Sequence, residues 1–461
     1  MEWICTAGRE NKLNQHFTKG GASNCPRLFL FSFHSVYNIG IRMKQIYLTA
    51  VLSLILFSDC SAQPLPSAVQ MTPTKDLSLQ SNRVVVPEKY KNKVAENLSL
   101  SLPEGYEVKV FHAGGLLKPR FFAWSPDSVL HIADKNGGTI TALPDRNHDG
   151  VADEAIVVAS GFSKSHDMKF YNGALYVAEE TKVTKCTDFD GDGIYETKST
   201  FITMVKGGQQ GGGGHDTRTI VFDPVRKKMY LSIGSMCNSC REEHRAIIEQ
   251  WNDDGTGRKV FATGCRNAVG MTLHNGKLWG TNNGFDWQGD DIPPEWIDII
   301  RNGGFYGYPY AYAHGLWVDF TVNTDYRNLL PLTAIDSAKV KSMKQPAALV
   351  QAHSAPMALE FSNASFPPQF RNGAFVAFRG SWNRSTATGF KIVYLDFDNA
   401  NDTTANFVAD FVRGFLVDPV SKKVWGRPVG LETDTRGNLY ISSDDITECI
   451  LIISPVKKGK Q

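Results

Sequence analysis

Charge of one sign is what this sequence has least of. Across 461 residues, 49 Lys and Arg stand against 47 Asp and Glu, a formal net charge of +2 with no long basic run. A surface that neutralises phosphates needs clustered cations, so nothing here points to nucleic acid. Long apolar runs are also scarce. IYLTAVLSLILF (46–57) stops at twelve residues, short of the roughly 20 that a membrane-spanning helix needs. Cysteine is sparse too, and its one close pair, in MCNSCRE, lacks the following His of a haem-attachment box. That pair alone offers two ligands where structural zinc takes four. No amphipathic helical pattern competes in length with the β-like segments described below.

The apolar run has a different use. Met43-Lys44 precedes it and SDCSAQ follows, which together read as an export signal cleaved near Ala62. Residues 1–42 are then an upstream extension ahead of the true initiator Met43, and 43–62 the signal. The mature chain is expected in the periplasm or outside the cell, with no transmembrane span after signal removal. Lipid anchoring through Cys60 is disfavoured, because Asp59 stands where a lipobox needs a small residue. The Pro-, Ser- and Gln-rich residues 63–95 read as a tether. Five cysteines remain after Ala62; in an exported protein Cys237 and Cys240 are candidates for a disulfide, and an odd count leaves at least one thiol free.

What the sequence does contain is a repeat. SPDSVLHIAD, YNGALYVAE, DPVRKKMYLSIG, HNGKLWGTN, RNGAFVAFRG and DTRGNLYISSD share a turn of Asp, Asn or Gly followed by an alternating apolar strand. Aligned on Leu130, Leu175, Met229, Leu278, Phe375 and Leu439, they recur at separations of 45, 54, 49, 97 and 64 residues. Units of that size, each unable to bury its faces alone, predict the blades of an all-β, six-bladed β-propeller with four-stranded antiparallel blades over residues 96–457. The long gap holds an insertion at about residues 285–345. Loops at one end of a propeller converge on its channel, which is where a site belongs.

Several loops carry chemistry. GGGGHDTR (211–218) strips the side chains from a loop, then delivers His215, Asp216 and Arg218 together. Glycine permits φ > 0 and close approach by another molecule. DRNHDGVADE (145–154) and DFDGDGIYE (188–196) space oxygen donors like calcium loops, through Asp145, Asn147, Asp149 and Asp153, and through Asp188, Asp190, Asp192 and Glu196. Solvated acidic turns are the equal alternative. Arg266-Asn267, Arg379, Arg384 and Arg427 fall at comparable loop positions, a basic funnel suited to a polyanionic small molecule. His353, in a turn, reads as structural.

The ordered set GGGGHDTRTIVFDP, GCRNAVG, DDIPPEWIDIIRNGGFYGYP, HSAPMALEF, GSWNRSTATGFK and RPVGLETDTRGNLY resembles the soluble quinoprotein sugar dehydrogenases, and more closely their sorbosone-dehydrogenase-like relatives, over roughly residues 100–455. The resemblance implies an exported oxidoreductase that binds pyrroloquinoline quinone (PQQ) and calcium at the channel mouth. It would oxidise an aldose or sorbosone-type sugar and pass electrons to a separate cytochrome or quinone. His215 matches the family's general base, with Asp216 to orient it. Arg218, Arg266, Asn267, Arg384, Lys391 and Arg427 match positions around the quinone, and the backbone carbonyls of Gly284 and Phe285 match the calcium ligands. Three positions depart from the pattern: Val269 replaces a Gln, Trp425 an Arg and Arg379 a His. Two alternatives stay open, a calcium-dependent propeller lactonase, which needs carboxylate ligands at the channel, and a non-catalytic carbohydrate-binding propeller.

Overall fold

Each of the six repeated segments forms the second strand of its own sheet. The computed structural model describes residues 69–204 and 214–456. The expected upstream extension and export signal, with Cys60, and Gly211 to Gly213 lie outside the described residues. Blade 1 runs Pro119–Trp124, Leu130–Asp134, Thr139–Leu143 and Ile156–Ser160, and blade 2 runs Asp167–Tyr171, Ala174–Ala178, Lys182–Thr187 and Thr197–Thr203. Blades 3, 4, 5 and 6 begin with Ile220–Asp223, Met271–His274, Pro356–Phe361 and Pro428–Thr433. The first three strands of every blade follow chain order and pair antiparallel, as the short loops between most of them allow. Hairpins at Asn172-Gly173 and Asn275-Gly276 hold both residues at positive φ, between 46° and 74°. That is the turn whose twist matches a β-hairpin, and it explains why Asn-Gly marks the repeat.

The core lies in the seams between blades. Ala174, Tyr176 and Ala178 of blade 2 pack with Ile220, Met229 and Leu231 of blade 3, and the other seams are built alike. Second strands such as Leu130–Asp134 and Gly373–Phe378 are therefore buried along both faces. Tyr106–Ala113 closes the ring: it pairs antiparallel with Cys449–Pro455 as the outer strand of blade 6, tying early chain to late chain.

Three details differ from expectation. Blades 3 and 5 each gain a fifth, parallel strand, Gly304–Phe305 and Thr74–Lys75. The segment 63–95, expected as a tether, packs onto the propeller from Thr74 onward, with Val84, Tyr90 and Val94 buried. Its backbone supplies the ladder bonds, which composition does not report. The insertion begins later than expected, since Glu295–Ile299 is the third strand of blade 4 and the fourth is Ala348–Val350. Between these two strands, Ala311–Tyr312 pairs with Leu316–Trp317 in a short hairpin. The helices Thr324–Arg327 and Ala334–Lys341 follow before blade 4 resumes. Among the described residues no helix is long and apolar enough to cross a membrane.

Candidate functional site at the channel mouth

One end of the channel opens into a cavity of about 440 Å³, within the usual range for small-molecule sites. Its walls come from segments just before the innermost strands and just after the second strands. Lys118, Arg120 and Lys135 belong to blade 1, Gly214 to Thr217 precede blade 3, and Arg266 to Val269 precede blade 4. Gly284, Asp286, His353, Arg379, Trp382 and Arg427 complete the ring. Six Lys and Arg side chains line it together with three carboxyl groups, those of Asp216, Asp286 and Glu295, while Asp444 and Asp445 behind the wall pair with Arg120, Arg379 and Arg427.

His215 lines the cavity as a neutral imidazole. Its Nδ1 lies 2.9 Å from the Ser235 carbonyl oxygen and 3.0 Å from Ser235 Oγ, whose own hydrogen goes to the Cys237 carbonyl. Facing two acceptors, Nδ1 carries the ring hydrogen and Nε2 keeps the lone pair. Burial, reinforced by the Arg266 charge, lowers the imidazole pKa to about 3, so the ring stays neutral. Arg218 and Arg245 both donate to the His215 carbonyl, at 2.8 and 2.7 Å. Close packing leaves no room beside the ring: a Cβ on Gly234 would lie 2.7 Å from His215 Cβ. Gly214, at φ +57°, passes so near Met236 that a Cβ would come within 2.3 Å of its carbonyl oxygen. That accounts for the last glycine of GGGGH.

The remaining expected residues divide. Arg266 pairs with Asp286 at 2.9 Å and donates to Asn238, while Asn267 donates to Asn283. Arg427 donates to the Gly380 carbonyl and sits over the Phe390 ring. These three line the cavity. Arg218 is fully buried beneath the loop and is absent from the cavity wall. Asp216 pairs with Lys135 and Lys164 at 2.7 and 3.1 Å, while Ser235, not Asp216, orients His215. Burial pushes the Asp216 carboxyl up, but those two lysines hold it below its ordinary range. Arg384 is outside the wall, bonded to the Asp290 carbonyl and paired with Asp291 at 2.8 Å. Lys391 faces a different hollow and pairs with Asp410 at 2.6 Å.

Gly284 lines the cavity, whereas the Phe285 ring stacks on Tyr308 away from it. Next to Gly284 stands Glu295, only 3% exposed, with Oε2 lacking a hydrogen-bond partner among the described residues. Burial pushes this carboxyl up to about 8. An orphaned carboxyl oxygen of this kind is a donor that a hard cation such as calcium would engage, and a cation there would favour the ionised form. Of the two acidic loops, Asp188, Asp190, Asp192 and Glu196 bring oxygens within 4.8 Å of one another. In the other, Asp145 and Asn147 accept from the Asp149 backbone, and Asp153 pairs with Arg146.

Sequence reasoning missed Lys118, Arg120, Lys135, Glu295, Ser235 and Asn238. Asp444 binds Arg120 and Arg379 together, with the Arg379 contact at 2.9 Å. Asn238 sits in the loop closed by the Cys237–Cys240 disulfide. The CxxC was the only signal for that loop. The free thiols Cys186, Cys265 and Cys449 are buried.

Residues 100–455 match the TrAA12-like family. The chain belongs to that family. A Trichoderma reesei carbohydrate-active enzyme of family AA12, in its calcium structure, shares the fold with a TM-score of 0.62 and 21% identity, covering 77% of this chain and 96% of that one. The PQQ domain of a pyranose dehydrogenase from Coprinopsis cinerea, in its holo form, aligns with a TM-score of 0.65 at 20% identity, over 81% of this chain and 100% of that one. An uncharacterized protein of Borreliella burgdorferi is 27% identical over 360 residues, 75% of this chain and 88% of its own length. The six-bladed fold and the resemblance to quinoprotein sugar dehydrogenases hold for this TrAA12-like chain.

Proposed function

We propose that this TrAA12-like protein is an exported, PQQ- and calcium-dependent dehydrogenase that oxidises a sugar CH–OH group to a carbonyl. The observation that carries the reading is a neutral His215, with Nε2 as its basic nitrogen, in a cavity lined by six Lys and Arg side chains. PQQ is a tricarboxylate, which cations on the wall suit. When bound, PQQ supplies the two-electron acceptor and calcium the Lewis acid that polarises its carbonyl. Arg266, Arg379 and Arg427 would hold the quinone's anionic groups, and Gly284 with Glu295 would hold calcium. His215 Nε2 would take the hydroxyl proton, and the hydride from the carbon would go to the two-electron acceptor that PQQ supplies, from which a separate acceptor would draw the electrons.

A lactonase needs several free carboxylates at the channel. Here Asp216 is tied to two lysines and Asp286 to Arg266, which leaves Glu295. The sugar class and the acceptor follow from experiment. Cofactor-free protein is reconstituted with PQQ and calcium, and dye-coupled oxidation of a sugar panel is measured. His215→Ala is expected to lose about 10²–10⁴-fold in kcat with PQQ binding retained. Full turnover in that variant, or no calcium-dependent PQQ binding by the parent, rejects the reading.

A further inference from the structure

Two large indoles stand in water at the lip of the cavity. Trp287 is 55% and Trp382 63% exposed, with ring centroids 5.5 Å apart and planes at 83°. Trp382 borders the cavity itself. Trp287 has φ +68°, a conformation that bulky L-residues rarely adopt. Both loops are fixed. Ser381 donates its N–H to the Thr388 carbonyl, which closes the Trp382 loop. The Asp290 carboxylate accepts from the Ser385 N–H, while Arg384 reaches the Asp290 carbonyl and the Asp291 carboxylate. Arg384 is thus a brace between the two tryptophan loops. On its other side, Gln288 exchanges two hydrogen bonds with the Asp319 backbone, at 3.1 and 2.7 Å. That junction sets Trp287 beside the segment holding the Trp317–Phe320 pair, where Trp317 is 38% exposed.

Exposed apolar surface on well-braced loops marks a ligand groove. A pyranose ring presents an apolar C–H face that rests on an indole, and a rim of hydroxyls that needs carboxylates and guanidinium. On the cavity wall that Trp382 borders, Asp286 and Arg379 carry such groups. Indoles at right angles form a corner, which suits a puckered ring better than the flatter surface of a protein partner.

We infer that Trp287 and Trp382 form a saccharide subsite outside the cavity, so that the preferred substrate is an oligosaccharide whose terminal unit enters the cavity. This inference rests on the sugar-oxidising reading above. Its test has two arms. In the first, cofactor-free protein is titrated with one- to four-unit sugars of the maltose, cellulose, xylan and chitin series while tryptophan fluorescence is followed. At least one tetrasaccharide should bind about tenfold more tightly than its monosaccharide, the worth of covering part of a large apolar side chain. Trp287→Ala should abolish that preference and Trp287→Phe retain most of it, with both variants checked for an unchanged melting temperature.

In the second arm, the reconstituted enzyme is assayed for kcat/KM against chain length. Tetrasaccharide binding without oxidation of any sugar would leave the subsite standing and reject the dehydrogenase reading. Oxidation with equal kcat/KM at every length, and no length-dependent binding, would overturn the subsite alone. A Trp287→Ala loss seen only when a protein acceptor replaces the dye would assign the pair to acceptor docking and overturn the saccharide inference.

Discussion

At the scale of single residues, the state of His215 is set by what surrounds it. Ser235 fixes its tautomer, and burial together with the surrounding arginines keeps it neutral. The same arrangement links it to stability. The folded pKa lies near 3 against 6.5 for the ordinary side chain, so between these values the unfolded chain binds the extra proton. The resulting stability is complete above pH 6.5 and is lost as pH falls toward 3. Urea unfolding at successive pH values should therefore show the parent losing stability below about pH 6.5 faster than His215→Gln, by up to about 1 kcal/mol per pH unit. Parallel curves would mean that His215 titrates normally in the fold.

At the scale of elements, the loop between the second and third strands of blade 3 matters most. Its Asn238 side chain accepts from Arg266 at 3.0 Å and from the Asp286 N–H at 2.8 Å. It therefore holds an arginine of the cavity wall and that arginine's carboxylate partner in one geometry. Hydrogen bonds to charged groups contribute about 1.5–3 kcal/mol. Asn238→Ala should weaken PQQ binding about 10- to 100-fold in a titration of cofactor-free protein, while the melting temperature changes little. Unchanged affinity would show that Asp286 alone positions Arg266.

For the whole molecule, the cavity's charge is collective. Its six cations come from five segments of the chain, and closure of the ring through Tyr106–Ala113 helps to bring them together. PQQ affinity should fall when ionic strength rises from about 0.01 to 0.1 M, as the screening length shortens from ~30 to ~10 Å. Titrations at both salts read this directly, and an affinity indifferent to salt would mean that apolar stacking dominates.

Blade number was legible in the sequence because each second strand is a local run of apolar residues led by its own Asn, Asp or Gly turn. Leu130, Leu175, Met229, Leu278, Phe375 and Leu439 all fall on those strands. The placing of His215 on the cavity wall was legible for a similar reason, since Gly214 before it records close backbone approach. The partners of the charged residues were not. Arg218 lies under the loop, Arg384 braces two tryptophan loops and Lys391 pairs with Asp410, although in sequence they look like Arg266 and Arg427. Sequence by itself determined the strands, their turns and the glycine-lined approach to His215, because these depend on neighbours a few residues away. Only the tertiary structure decided which cations face the cavity and which carboxyl oxygen is left over beside Gly284, because the partners come from segments apart in sequence, as where Asp444 meets Arg120.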